Sequence, residues 1–138
     1  RFWPALHAAG FTDRQFAPAE FPELARYGIG LTDLAKHESG IDSALSSDAY
    51  DADGLRARIE KYRPRHLAFT GKRPAGLFLL QTFGAGLTDY GLQDTRLGET
   101  RIFVLPSPSG LAARWWSIEP WRTLAVLHNE ARSEAERL

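Results

Sequence analysis

The chain has 138 residues, 43% hydrophobic and 25% charged, which describes one domain with a packed core rather than a disordered segment. It has no cysteine, which excludes disulfides and thiolate metal sites and suits a reducing compartment. Lys plus Arg and Asp plus Glu both number 17, a balance that argues against a long basic DNA track but permits a small footprint with few phosphate contacts.

No run of about 18 apolar residues exists, so no membrane helix is expected. Arg1-Phe2-Trp3-Pro4 lacks the apolar core of a signal peptide. The chain has no methionine and begins inside an amphipathic segment, so it reads as a fragment with sequence missing upstream.

The spacing predicts a helix over residues 2–9, with Phe2, Leu6 and Ala9 on one face and Gly10 as its stop. Thr12-Asp13 opens a polar turn. A second helix is expected from Pro18 to Tyr27, with Phe21, Leu24 and Ala25 inward and Gly28 ending it. The stretch Gly28 to Leu34 is short, apolar and rich in small residues, and reads as a buried segment with close backbone approach.

Residues 36–53 read as a polar loop, and Asp53 as the cap of a helix through Tyr62, with Leu55 and Ile59 inward. His66 to Thr70 reads as a strand turning at Gly71, and Ala75 to Thr82 as a helix. Gly84 to Gly98 is glycine-rich and aperiodic. Arg101 to Leu105 is the best strand, stopped by Pro106, and a helix from about Ile118 to Glu130 follows, its charged tail extending it. Alternating strands and helices imply an α/β fold, its parallel sheet covered on both faces.

Several familiar signals fail. Gly71-Lys72 lacks the rest of a P-loop, and Gly28-Ile29-Gly30 lacks the third glycine of a dinucleotide site. His37-Glu38 lacks a second histidine at Ile41, and Asp48, Asp51 and Asp53 lack calcium-loop spacing. Two segments with special backbones remain. In the first, Gly28 to Leu34, Asp33 follows the apolar run as either a helix cap or a functional acid at the carboxyl end of a strand.

The second segment is Pro106 to Arg114. Two prolines stiffen the sheet exit, Ser107 and Ser109 offer hydroxyls, and Gly110 permits close approach. Leu111 and Arg114 put one apolar residue and one cation on a rigid loop, a pair that suits a base-flipping protein; the plainer reading, which composition alone favours, packs Leu111 on Trp115. Trp3, Trp115, Trp116 and Trp121 read as packing residues rather than base platforms, with Trp115 or Trp116 placed to shape the loop from behind.

Four ordered blocks carry a resemblance: Arg1-Phe2-Trp3; Gly10 to Gln15 with Tyr27 to Thr32; Pro64 through Phe69 to Gly71-Lys72; and Leu105-Pro106-Ser107-Pro108-Ser109-Gly110. Together they resemble the mismatch-specific uracil/thymine-DNA glycosylase family of the uracil-DNA glycosylase superfamily. The resemblance implies a three-layer α/β/α sandwich with a central, mostly parallel sheet, as one glycosylase domain over 1–138. It also implies a monofunctional enzyme that needs no metal or cofactor. That enzyme would be a monomer, acting on double-stranded DNA in a bacterial-type cytoplasm, flipping uracil from G mismatches and hydrolysing its bond to deoxyribose. Thymine and damaged pyrimidines are further candidate bases.

On these positions Gly30, Leu31, Thr32 and Ser107 line the base pocket. Pro108, Ser109, Gly110, Leu111 and Arg114 meet the DNA, and Asp33 is the candidate catalytic residue. Two departures matter. The family's Gly-Ile-Asn-Pro-Gly motif belongs upstream of Arg-Phe-Trp and is absent here, with its N-terminal strand and the aromatic residue that stacks on uracil. After Gly-x-Thr, where the family varies, this chain has Asp33; where the family often has Asn, it has Ser107. A non-catalytic lesion-binding module of the same fold, or a nucleoside or nucleotide hydrolase, remains as an alternative.

Overall fold

The computed structural model describes residues 2–32, 51–84, 86, 89–108 and 116–137. The chain divides into two compact units, Arg1–Leu31 with Pro106–Leu138, and Thr32–Leu105.

The first unit is helical. Its first helix, α1 (Phe2–Ala9), buries Ala5, Leu6 and Ala9, as apolar spacing requires, while Phe2 is half-buried. Pro18–Tyr27 forms a 3-10 helix instead of an α-helix. Pro22 sits inside it and cannot donate a backbone hydrogen bond, which favours short, tight turns. Only Leu24 of this helix is buried, whereas Phe21 is 58% exposed and Ala25 is exposed too. At a period of 3.0 Ala25 turns 120° away from Leu24, whereas Phe21, three residues before Leu24, shares its face and is exposed nonetheless.

Both helices stop at glycine in the same way. Gly10 (φ 102°) and Gly28 (φ 71°) take left-handed conformations. The Gly10 N–H donates to His7 O and the Phe11 N–H to Leu6 O, and the Gly28 N–H donates to Ala25 O and the Ile29 N–H to Leu24 O. This is the Schellman pattern, which uses up carbonyls that a helix end otherwise strands. The long helix α4 (Glu119–Arg137) completes the unit, with Trp121, Leu124 and Ala125 buried.

The second unit is α/β. Its first helix, α2 (Ala52–Tyr62), is capped by Asp51, not Asp53: the Asp51 carboxylate accepts from the Gly54 N–H at 3.0 Å. A methyl on Gly54 would overlap that carboxylate, so cap and glycine belong together. Leu55 and Ile59 are buried as expected. Strand β1 (His66–Thr70) leads through Gly71 into α3 (Lys72–Phe83), which begins three residues earlier than its apolar pattern shows. Then follow β2 (Gly91–Leu97) and β3 (Thr100–Leu105).

The sheet order is β1-β3-β2, with β1 parallel and β2 antiparallel to β3. The expected mostly parallel sheet is therefore mixed. Only two residues, Gly98-Glu99, join β2 to β3, and so short a turn permits only antiparallel pairing. Gly98 has φ 60° at the first central position, as a type II′ turn requires.

Strand β2 falls in the stretch read as aperiodic. Its only buried residue is Gln93, whose amide donates to the carbonyls of Asp89 and Gly91. A register shift between Leu92 and Arg96 breaks its pairing. Polar composition and a shifted register are how an edge strand avoids pairing with other chains.

One face of the sheet packs against α2 and α3. Leu67, Phe69, Ile102 and Val104 meet Leu55, Ile59, Ala75, Phe78 and Leu79 there. Phe103 and Leu105 on the other face are also buried.

In the first unit, Glu20 bonds Arg14 (2.6 Å) and the Ala17 N–H (2.9 Å), so the start of the 3-10 helix is tied to the preceding turn. The bond from Arg14, then that from Ala17, holds the Glu20 carboxyl below its ordinary range. A lowered carboxylate stabilises the fold above its unfolded pKa and loses that effect as pH falls through the folded one. Thermal midpoints of wild type and Glu20→Gln should therefore differ at neutral pH and converge on acidification; a gap that persists in acid would contradict this.

Candidate active site

The first candidate segment leaves the 3-10 helix at Gly28. Helix α4 holds that exit by two side chains. His128 Nε2 lies 2.7 Å from the Tyr27 carbonyl, and Arg132 Nη2 donates to the Arg26 carbonyl at 2.9 Å. A carbonyl only accepts, so the proton of this bond sits on His128 Nε2. A Cβ on Gly28 would come within 3.3 Å of Arg132 Cδ and Nε and within 3.4 Å of His128 Cε1. Position 28 therefore needs glycine both for its left-handed φ and for the closeness of α4.

Helix α4 also reaches the end of α1. Asn129 Nδ2 donates to the Gly10 carbonyl at 3.2 Å, and the Phe11 ring lies 5.8 Å from the His128 ring. The block after Gly10 is tied to Tyr27. The Tyr27 hydroxyl donates to Asp13 at 2.6 Å, and Thr12 Oγ1 donates to the Arg14 carbonyl at 2.8 Å. Bonding to Asp13 raises the Tyr27 phenol above its ordinary value. Asp13 and Tyr27 thus act as a clamp, and nothing in their geometry gives them a chemical role.

Beyond Gly28, the side chains of Leu31 and Thr32 are exposed, and Gly30 is exposed too. The segment was expected to be buried, and its described residues, 28–32, are not. Its apolar look comes from Ile29 and Leu31, and of these Ile29 is only half-buried while Leu31 is 52% exposed. Ile29 follows Leu24 in the Schellman arrangement, where an apolar residue is usual. Asp33, read as a cap or an acid, lies outside the described residues.

The second candidate segment leaves β3 at Leu105. Pro106 is fully buried, and its carbonyl accepts a 3.0 Å bond from the indole N–H of Trp121, itself 1% exposed. An unpaired buried carbonyl costs about 1–3 kcal/mol, so this bond fixes the start of the segment. The Trp121 ring is flanked by Phe2 (6.1 Å) and Trp116 (5.8 Å), with Trp3 edge-on to Phe2 at 5.2 Å. Among the described residues, the tryptophan that bonds the start of this segment is Trp121, from α4. Ser107 and Pro108 follow, half-buried. Ser109, Gly110, Leu111 and Arg114 lie outside the described residues, as does Trp115, so the wedge and packing readings of Leu111 both stay open.

Both segments begin in the helical unit, and the same helix anchors both. Trp121, His128 and Arg132 are the site residues that motif reading missed. The signal was present as a spacing of seven and four residues, which returns to one helix face. Among the described residues, no group of three or more His, Asp or Glu is placed to hold a metal ion, and no helix is long and apolar enough to cross a membrane. In the second unit, Lys72 after Gly71 lies 3.5 Å from Asp89 and 4.4 Å from the centre of the Tyr90 ring. The Tyr90 N–H, then Lys72, keeps the Asp89 carboxyl low. This lysine is already engaged by a carboxylate and a ring.

Gly28→Ala should lower stability by about 1–2 kcal/mol through the left-handed conformation alone. Urea denaturation checks it, and an unchanged midpoint would refute the close fit against α4.

The family model described as the Uracil DNA glycosylase superfamily matches residues 1–128. That span takes in α1, both candidate segments, the mixed sheet and α4 as far as His128, and so includes residues of both units. With one family model covering all but the last turns of α4, this chain belongs to the uracil-DNA glycosylase superfamily.

Proposed function

We propose that the chain carries a mismatch-specific uracil-DNA glycosylase activity, in one three-layer α/β/α domain acting as a monomer on chromosomal DNA. The observation that carries this reading is the superfamily match across both candidate segments, joined to a strand exit that Pro106 stiffens and Trp121 holds. A DNA-probing loop has to be rigid at its base if its tip is to enter a base stack.

In this reading Ser107 to Arg114 probes the duplex. Leu111 fills the gap, and Arg114 meets phosphate or the stranded base. Uracil turns out against Gly30, Leu31 and Thr32, whose exposure leaves them open to a ligand. Ser107 faces the base, and its short side chain reads fewer edges than a longer amide would. A mispaired base costs less to extrude, which supplies part of the preference for G·U.

Asp33 orients the attacking water and stabilises positive charge on the sugar as the bond breaks. The water oxygen bonds the sugar carbon, the glycosidic electron pair leaves with the base, and one water proton passes to the carboxylate. The sugar keeps a hydroxyl, which makes the enzyme monofunctional. No metal or cofactor takes part.

Base release by the full-length protein from matched duplexes carrying G·U, A·U and G·T tests the activity, with G·U expected to be fastest. Asp33→Asn should slow release by about 100-fold or more; release at the wild-type rate would remove Asp33 from the chemistry. Leu111→Ala should weaken duplex processing and spare single-stranded substrate, whereas equal loss on both would argue against a wedge. The balance of 17 basic and 17 acidic residues favours a second reading, hydrolysis of a free nucleoside, which needs no basic track. Release from free deoxyuridine but not from DNA would select that reading. Tight binding to uracil DNA without base release would select a lesion-binding module.

A further inference from the structure

We propose that one face of α4 is a spacer that sets the separation between the start of the base-pocket segment at Tyr27 and the start of the DNA-probing segment at Pro106, with Trp121, His128 and Arg132 as positioning residues. The proposal rests on the glycosylase reading above and deepens it.

Three bonds carry it. Trp121 donates to the Pro106 carbonyl, His128 to the Tyr27 carbonyl and Arg132 to the Arg26 carbonyl. At 100° per residue, positions 121, 128 and 132 fall within about 40° of one another around the helix. At about 1.5 Å per residue, His128 and Arg132 stand about 10 Å and about 16 Å along the axis from Trp121. Two chain segments that are distant in sequence are thereby fixed to one rigid rod. Base flipping needs such a fixed span, because the extruded nucleotide must reach the pocket while the loop still fills the stack.

The two ends of the rod have different duties. The Trp121 end holds the start of the loop, whose wedge works only in duplex DNA, with Ser107 behind it facing the base in every substrate. The His128 end holds the chain leading to Gly30, Leu31 and Thr32, which every substrate meets. A residue that only stabilised the fold would affect both substrates alike.

The test uses the full-length protein and three variants, Trp121→Phe, His128→Leu and His128→Gln. Each is assayed for base release from a G·U duplex and from single-stranded uracil DNA, and by peptide-level hydrogen exchange. Trp121→Phe should lower kcat/KM about 10- to 100-fold on the duplex and by a smaller factor on the single-stranded substrate. It should raise exchange around Ser107 but not in 28–32.

His128→Leu should lower activity on both substrates and raise exchange in 28–32. His128→Gln, which restores an N–H donor, should recover most of both. Equal loss on both substrates from Trp121→Phe, uniform exchange changes, or a Gln variant no better than Leu would overturn the spacer. A wild-type protein that releases no base from either substrate overturns the glycosylase reading instead, and the exchange pattern then decides whether α4 still anchors the two segments separately.

Discussion

The carbonyls of a helix's last turn have no partner within the helix, and a carbonyl at a buried strand exit has none within the sheet. In the helical unit α4 meets these needs from a distance. Trp121 takes the buried Pro106 carbonyl, Asn129 the Gly10 carbonyl, His128 the Tyr27 carbonyl and Arg132 the Arg26 carbonyl. The last three join residues 119, 101 and 106 positions apart in the chain. Without α4, α1 and the 3-10 helix would keep their Schellman turns but lose what fixes the direction in which the chain leaves them.

This changes how the ordered motifs are understood. Much of their content is structural. Gly10 and Gly28 are helix stops with left-handed φ, Asp13 accepts from Tyr27, and Pro106 is a buried anchor. Residues that face outward, Gly30, Leu31 and Thr32, come directly after these anchors. A site built this way separates the groups that hold the backbone from the groups free to meet a ligand. Rigid support just behind an exposed segment is what a preorganised site requires.

The second unit follows a different logic. Leu67 and Phe69 of β1 and Ile102 and Val104 of β3 converge on one face with α2 and α3, while Phe103 and Leu105 are buried on the other. The edge strand β2 offers almost nothing apolar to the core, and is held by a two-residue turn and by the buried amide of Gln93. Hydrophobic pattern therefore marks β1 and β3 and is silent about β2. That silence also hid the sheet's mixed character, since the antiparallel pair is the one that β2 makes.

The sequence by itself determined the helix 2–9, a helix ending at Tyr62 with Leu55 and Ile59 inward, the strands 66–70 and 101–105, the glycine stops at 10 and 28, and the kinship of the chain. Each is written locally, in apolar spacing, in left-handed glycine or in motifs of contiguous residues. Tertiary structure alone decided that Phe21 faces outward, that Asp51 rather than Asp53 caps α2, that β2 pairs at the edge, and that Trp121, His128 and Arg132 support the two candidate segments. The reason is physical. A backbone carbonyl announces no partner in the sequence, and the donor that satisfies it is found only when folding brings a helix from the far end of the chain alongside.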